Sequence, residues 1–179
     1  MIFAFFIYVF DSQCYILDMV GDKEILMVLD NIRSAHNAGA IFRTADAVGI
    51  AKIFLVGTTP CPLDRFKRVQ KEIAKTALGA ERAVAWEWRK DFPTLVRELK
   101  KTGFKIIAVE QNKIAIDYKK IKLPPKTKVT FVFGGEVLGI PLAHLKLCDT
   151  VAEIPMRGKK ESLNVSVAAG IALFRILGV

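Results

Sequence analysis

Apolar residues along the chain follow two patterns, short continuous runs and longer stripes that recur every three to four positions. The runs have the length and β-branched content of strands buried on both faces. The stripes have the period of a helix face, as where Ile41, Ala45 and Val48 stand at i, i+4 and i+7. We predict strands at 25–29, 52–56, 84–86, 105–109, 129–133 and 150–154, and helices at 36–48, 92–101 and 165–177.

The alternation of strands with helices indicates the fold class. A helix between two strands returns the chain to the same end of the sheet, so that the strands run parallel and both sheet faces are covered. We therefore predict an α/β domain, a parallel sheet flanked by helices. The last helix, 165–177, is apolar almost all round. One sheet face cannot cover it, and the interface of a homodimer would supply the remaining cover.

The first ten residues are almost wholly apolar and stand apart from this pattern. They lack the basic start of a signal peptide, and polar residues from Asp11 onward make the run short for a membrane-spanning helix. A further strand and a membrane-leaning leader are alternatives. We expect residues 1–20 to be an apolar extension upstream of the true start, for which Met19 and Met27 are candidates. Residues 21–179 then form a single domain.

Charge and cysteine content narrow the class of partner and compartment. The chain has 27 Lys and Arg against 18 Asp and Glu, a net charge of +9. This excess favours a polyanion, and both nucleic acids and membrane surfaces fit it. Cys14, Cys61 and Cys148 are far apart and odd in number, which argues against a disulfide framework or a zinc site. The cysteines fit a cytoplasmic protein with no bound metal. Charge alone does not decide between a nucleic acid and a membrane, and it is with the motifs described below that we expect no membrane partner.

The first motif, residues 29–49, reads LDNIRSAHNAGAIFRTADAVG. It begins at the carboxyl end of a predicted strand, where ligands gather in α/β sheets. Asn37 and Arg43 are six residues apart, or roughly 120° around a helix, so they do not share a face and we expect Asn37 at the helix start. Gly39 would let another backbone or a ligand come close. The alternative is that Asn37 is only a helix cap and Arg43 only a surface charge.

The second motif, residues 131–141, reads FVFGGEVLGIP. Gly134 and Gly135 follow a buried strand directly, and paired glycines there would expose backbone N–H groups and admit a flat ligand. The GGxxxG spacing lacks the dinucleotide fingerprint, and no P-loop lysine follows. A purely structural glycine turn is the alternative.

The third motif, residues 154–170, reads IPMRGKKESLNVSVAAG. A basic loop leads to Ser162 and Asn164 and then to the apolar helix. One interpretation has this polar pair beside a ligand and the basic loop near phosphates. The other has Ser162 or Asn164 simply capping the helix.

Together and in this order, the three motifs resemble the SpoU, or TrmH-type, family of the SPOUT RNA methyltransferases. The resemblance runs from residue 25 to the end of the chain. It implies a SPOUT-type fold with a C-terminal trefoil knot and an obligate homodimer. It also implies that S-adenosylmethionine is the methyl donor and that the acceptor is a ribose 2′-hydroxyl of tRNA or rRNA.

The resemblance also implies roles for individual residues. The positions that match donor-binding residues are Gly134, Gly135, Gly139, Ile154, Met156 and Leu163. The positions that match catalytic residues are Arg43, at the reacting ribose, and the polar residues Asn37, Glu136, Ser162 and Asn164 around it. Arginine stays charged at neutral pH. We therefore expect Arg43 to stabilise a developing alkoxide or hold a phosphate rather than take the proton.

Basic side chains near the motifs are candidates for contacts with RNA phosphates. They are Arg33, Arg65, Lys67, Arg68, Arg157, Lys159 and Lys160. Solvated surface charge explains any one of these clusters as well. Two further alternatives are a non-catalytic RNA-binding protein that kept the fold and a methyltransferase that acts on bases instead of ribose.

Overall fold

The computed structural model describes residues 7–10, 13–16 and 23–179. Strands β1 (Ile7–Phe10) and β2 (Gln13–Ile16) pair antiparallel as a sheet of their own. The expectation of an apolar extension over 1–20 lies largely outside the described residues. That expectation, and the single domain over 21–179, stay predictions.

Seven further strands form the main sheet. They are β3 (Glu24–Asp30), β4 (Lys52–Val56), β5 (Ala85–Arg89), β6 (Lys105–Val109), β7 (Ile116–Asp117), β8 (Lys128–Gly134) and β9 (Thr150–Glu153). All neighbours run parallel, in the order β5-β4-β3-β8-β6-β9-β7. Each of the six predicted strands is present, although β5 runs three residues further than expected. The predicted fold class is confirmed, and the trefoil knot stays a prediction.

Helices cover this sheet. They are α1 (Ala35–Ala47), α2 (Lys71–Ala77), α3 (Ala80–Ala83), α4 (Phe92–Lys101), α5 (Leu142–Leu145) and α6 (Val165–Leu177). The sequence predicts α4 and α6 with these bounds and α1 one residue later, but it does not predict the shorter α2, α3 and α5. In the described part of the chain, no helix has both the length and the apolar character needed to cross a membrane.

Alternate residues of the central strand β3 face two separate cores, because successive side chains in a strand point to opposite faces. Ile25, Met27 and Leu29 of β3 pack in the core formed with α1, α2 and α6. Leu26 and Val28 pack in the core formed with α4 and α5. The near-continuous apolar runs of the sequence therefore reflect a sheet that is buried on both faces.

The order of the strands sets the position of the site. From β3, the chain builds β4 and then β5 on one side of β3. It then crosses to the other side, where it builds β6 first and later inserts β8 between β3 and β6. The carboxyl ends of strands at such a reversal form a crevice. Asp30 in β3 is level with Gly134 in β8, and Val109 in β6 is level with Phe133 in β8. The segments that follow these three strands therefore begin side by side.

A buried contact between Asp30 and His144 fixes the end of β3. The Asp30 side chain is fully buried. Its carboxylate accepts a hydrogen bond of 2.8 Å from the Asn31 amide and lies 2.6 Å from Nδ1 of His144. The His144 ring stacks on Phe92, with ring centroids 4.3 Å apart. These contacts supply the partners that a buried carboxylate needs, and they tie α4 and α5 to the end of β3.

Gly39 allows α1 and α2 to approach closely, as its position in the sequence predicts. A Cβ atom at Gly39 would lie 2.1 Å from Oγ1 of Thr76 and 2.5 Å from the carbonyl oxygen of Ile73. The second of these atoms belongs to the backbone and cannot rotate away. The contact therefore requires glycine.

We expect Gly39→Ala to destabilise the protein by about 1–2 kcal/mol, since the steric overlap outweighs the roughly 1 kcal/mol that alanine gains in helix propensity. Urea unfolding measures the difference. Gly158→Ala is the control, because a Cβ there would meet no atom within 4 Å. Its stability should stay within about 0.5 kcal/mol of the parent. Equal unfolding midpoints for all three proteins would contradict the packing.

Candidate active site

A cavity of about 520 Å³ opens at the carboxyl ends of β6, β8 and β9. Its wall consists of residues 109–111, the loop 133–139, two residues that follow β9, and the start of α6. All six positions that match donor-binding residues line it: Gly134, Gly135, Gly139, Ile154, Met156 and Leu163. Segments that are far apart in the sequence thus form one concave surface.

The glycines of the loop between β8 and α5 first serve the packing of the loop itself. Gly135 and Gly139 pair as an antiparallel bridge, and the Gly139 N–H donates to the Gly135 carbonyl at 2.9 Å. A Cβ on Gly134 would lie 2.5 Å from the Gly139 carbonyl carbon, and one on Gly135 would lie 2.4 Å from the Asn31 carbonyl oxygen. These contacts give the glycines a structural role, and both residues also line the cavity, so the ligand interpretation stays a prediction.

Glu136 joins this loop to the start of α1. Its Oε2 accepts a hydrogen bond from the Arg33 backbone N–H at 2.9 Å. Its Oε1 accepts from the Ser34 backbone N–H at 3.1 Å and from the Asn37 side-chain amide at 2.8 Å. Helix α1 has no acidic residue in its first turn. Glu136 thus supplies the negative charge that favours a helix N-terminus.

These bonds affect the acidity of Glu136. Partial burial acts to raise the pKa of its carboxyl group, while the bonds donated by the Arg33 backbone, the Asn37 side chain and the Ser34 backbone act to lower it. The bonds outweigh the burial, and the pKa lies below its ordinary value. The carboxylate therefore stays ionised at neutral pH, with hydrogen bonds to both oxygens.

Asn37 extends this connection to the third motif. Its Oδ1 accepts a hydrogen bond of 3.1 Å from the Asn164 amide. Asn164 caps α6, with its Oδ1 accepting from the Ser166 N–H at 2.8 Å. Asn37 stands in the first turn of α1, as predicted, but the alternative that it caps the helix is wrong because Ser34 is the cap. Glu136, Asn37 and Asn164 therefore form one hydrogen-bonded chain, and Ser162 lines the cavity beside it.

Arg43 lies apart from this chain of bonds. It borders a separate depression together with Lys75 and Phe174, and it is not part of the cavity wall. Asn37 and Arg43 differ by about 9 Å along the helix axis and by roughly 120° around it. One copy of the chain therefore brings together every predicted catalytic residue except Arg43.

The basic residues predicted to bind RNA fall into three places. Arg33 is exposed beside the site, where its backbone contacts Glu136. A loop between β4 and α2 carries three of the others, namely Arg65, Lys67 and Arg68. The exposed loop between β9 and α6 carries the remaining three, which are Arg157, Lys159 and Lys160.

Glu110 and Gln111 also line the cavity, although none of the three sequence motifs includes them. Oε2 of Glu110 accepts a hydrogen bond of 2.8 Å from the Ile140 N–H, and a Cβ on Gly139 would lie 2.4 Å from that oxygen. Glu110 thus holds the end of the glycine loop through its bond with the Ile140 N–H. The available signal was its place directly after a buried strand, but the sequence does not reveal that β6 lies beside β8.

Elsewhere in the described residues, no other site combines the residues predicted to be catalytic. Within residues 23–179, no group of three His, Cys, Asp or Glu side chains could hold a metal ion. The absence of a metal stays a prediction. A wider apolar groove of about 910 Å³, bordered by Leu63, Leu78 and Trp86 among others, contains none of the residues predicted to be catalytic.

Comparison with known proteins finds RNA methyltransferases. Residues 24–174 match the model of the SpoU rRNA Methylase family. The 23S rRNA (guanosine-2′-O-)-methyltransferase RlmB of Ralstonia nicotianae is 34% identical over 163 residues, which are 89% of this chain and 60% of that protein. A protein of Archaeoglobus fulgidus named "Uncharacterized tRNA/rRNA methyltransferase" is 33% identical over 166 residues, which are 93% of this chain and 70% of that protein.

The same similarity holds for a solved structure. The AdoMet-bound rRNA methyltransferase from Sinorhizobium meliloti matches with a TM-score of 0.76 at 30% identity, covering 85% of this chain and 55% of that one. The chain spans about 60% of the length of the curated RlmB proteins that it matches.

We expect Glu136→Gln to lower the free energy of unfolding by an amount that depends on pH. Glutamine has one acceptor oxygen, and its own amide would face an N–H donor. Because the pKa of Glu136 is lowered on folding, the unfolded chain takes up the proton first as the pH falls. The parent is therefore more stable than the variant above the ordinary pKa range of a carboxyl group. This difference in the free energy of unfolding is lost as the pH falls through the lowered pKa of Glu136.

Urea unfolding of parent and variant from about pH 2 to about pH 7 measures this. Glu161→Gln, at an exposed position of the neighbouring basic loop, is the control and should show a smaller difference. A difference between parent and Glu136→Gln that stays constant over the whole range would contradict the role of the charge.

Proposed function

The chain belongs to the SpoU rRNA Methylase family, and we propose that it transfers a methyl group from S-adenosylmethionine to a ribose 2′-hydroxyl of RNA. One observation carries this proposal. The hydrogen-bonded chain of Glu136, Asn37 and Asn164 stands at the cavity that the six donor-binding positions line. A fold retained only for RNA binding has no need of such a cavity joined to these polar residues.

The cavity suits the methyl donor. Its volume of about 520 Å³ is that of a site for a small organic molecule. Its wall combines apolar side chains such as Phe133 and Leu138 with the carboxylates of Glu110 and Glu136, a composition that suits an adenosine group and a cationic sulfonium. S-adenosylmethionine supplies a methyl group made electrophilic by its sulfonium. The chain's own residues must then hold and orient the hydroxyl.

We assign Glu136 a positioning role. Both of its oxygens already accept hydrogen bonds, three in all, from α1 and the segment that precedes it. Its lowered pKa makes it a weak base. It therefore fixes Asn37, and through Asn37 the amide of Asn164, at the edge of the cavity. When bound there, S-adenosylmethionine would supply the methyl group, whose bond to sulfur would break as the hydroxyl oxygen forms the new bond to carbon, and the hydroxyl proton would pass to water.

Because Arg43 lies outside the cavity wall of its own chain, a catalytic role for Arg43 requires a second copy of the chain. Along α6, three apolar residues at helical spacing are exposed: Val167 at 49%, Ile171 at 38% and Phe174 at 42%. Arg43 borders the same depression as Phe174. A homodimer that buries this face would remove the apolar surface from water and carry Arg43 toward the cavity of the partner subunit. There its guanidinium would stabilise the developing alkoxide or hold the adjacent phosphate.

The surface and the relatives support an RNA substrate. The net charge of +9 suits phosphate contacts. The RlmB proteins are named as 23S rRNA methyltransferases and the Archaeoglobus protein as a tRNA/rRNA methyltransferase, so we favour ribosomal RNA and keep transfer RNA as the alternative. Cys61 and Cys148 are free thiols, which suits the reducing cytoplasm that we propose as the location.

We expect Arg43→Ala to lower single-turnover methylation by about 100-fold or more, because one electrostatic contact to the developing negative charge is lost. Donor binding measured by calorimetry should remain close to that of the parent, since Arg43 is not in the cavity wall. The substrate is RNA from cells that lack the gene. Arg97→Ala, on the exposed face of α4, is the control. Near-normal turnover by Arg43→Ala, or no heat of donor binding by the parent, would contradict the proposal.

A mixed dimer tests whether Arg43 acts across the interface. Arg43→Ala and Glu136→Ala are each expected to be nearly inactive when expressed alone. A mixed dimer has one site with an intact Glu136 and with Arg43 from the other subunit, so co-expression should restore activity if Arg43 serves the partner's site. Absence of restored activity in purified mixed dimers would show that each Arg43 serves its own subunit.

A further inference from the structure

The loop of residues 63–69, between β4 and α2, is held by a backbone bridge and by the side chain of Asp64. Leu63 and Val69 form an antiparallel bridge at its base. Oδ1 of Asp64 accepts hydrogen bonds from the N–H groups of Phe66 at 2.8 Å and Arg68 at 2.9 Å. Lys67 adopts a left-handed conformation with φ of 60°, which turns the chain back. The loop therefore presents a fixed surface.

At the turn, this loop exposes an aromatic ring between two arginines. Phe66 is 62% exposed. The guanidinium carbons of Arg65 and Arg68 lie 4.7 and 5.0 Å from its ring centroid. Nε of Arg68 also donates to Asp64 at 2.7 Å. Within residues 23–179, Arg65 has no ion-pair partner, so its guanidinium is free to exchange the ring for another group.

An aromatic ring with neighbouring guanidinium groups has the chemistry of a nucleobase site. Bases stack on aromatic rings and on guanidinium planes, and arginines donate to phosphates. The charge around the ring agrees with this. The loop and the following helix carry five cationic side chains, Arg65, Lys67, Arg68, Lys71 and Lys75, against Asp64 and Glu72. Of these two carboxylates, Asp64 is already paired with Arg68.

We propose that Phe66 is a stacking platform for an unpaired base of the RNA, with Arg65 and Arg68 holding the phosphates beside that base. The inference rests on the proposed function, since it takes RNA as the substrate. A paired base inside a helix has both faces covered by its neighbours and cannot stack on a protein ring. The site therefore selects single-stranded loops, bulges or ends, and it binds them outside the cavity where the methyl group is transferred.

Binding of two oligoribonucleotides tests this. One is single-stranded with a central 2-aminopurine, whose fluorescence reports stacking, and the other is the same strand in a full duplex. We expect Phe66→Ala and Phe66→Leu to weaken single-strand binding by about 5- to 100-fold and to remove the fluorescence change. Phe66→Trp should keep both. Duplex binding should change little in all three variants.

Salt dependence separates stacking from phosphate contacts. Phe66→Ala should leave the slope of log affinity against log salt unchanged, whereas Arg65→Ala should reduce its magnitude by about one. Ile114→Ala, which removes an apolar side chain that is 68% exposed elsewhere, is the control for loss of apolar surface. Equal urea midpoints would establish that the Phe66 variants are folded, as expected for an exposed residue.

Three results would overturn the inference. Parent-like single-strand binding by Phe66→Leu would show that no aromatic face is needed, as for a contact with a protein partner. An equal loss for the duplex would remove the selectivity for unpaired bases. Failure of the unmodified protein to bind either oligonucleotide would overturn the proposed function together with this inference.

A further outcome separates this site from the proposed reaction. Loss of single-strand binding in Phe66→Ala without any heat of donor binding in the parent would sustain this site and contradict only the methyl transfer.

Discussion

The carboxylate of Glu136 is the contact on which the site depends. It accepts three N–H bonds at the start of α1, from positions about a hundred residues earlier in the chain. Without it, the backbone donors before α1 would lose their partner, and the Asn37 amide would lose the contact that orients it toward Asn164. The glycines on either side of Glu136 matter because they let its loop lie against the Asn31 carbonyl and the Glu110 carboxylate.

This arrangement places the predicted catalytic residues on two surfaces. The first turn of α1, the glycine loop and the start of α6 form the edge of the cavity within a single chain. Arg43 belongs to the other surface, with the exposed apolar face of α6. The beginning of the motif at residues 29–49 therefore lies at the cavity of its own chain, and under the proposed dimer its later part faces a second copy.

Local pattern explains which features the sequence could predict. The bounds of α4 follow from its apolar period, those of α6 follow from a long apolar run, and the angle between Asn37 and Arg43 follows from helix geometry alone. Helix α2 escapes prediction because only Ile73 and Ala77 of its seven residues are buried, too few to show a period. The bonds of Glu136 and the place of Glu110 depend on which strands are neighbours, and a single sequence does not contain that order. The exposure of Phe66 between two arginines depends on the left-handed turn at Lys67, which the local pattern of residues does not indicate.

The most direct test of the account is the position of the transferred methyl group. RNA from cells that lack the gene is incubated with the protein and S-adenosylmethionine labelled in the methyl group, and the product is hydrolysed with alkali. A 2′-O-methyl group blocks cleavage at its own nucleotide, so the account predicts that the label appears in alkali-resistant dinucleotides. Label in mononucleotides would assign the methyl group to a base, and absence of label from the RNA would contradict methyl transfer altogether.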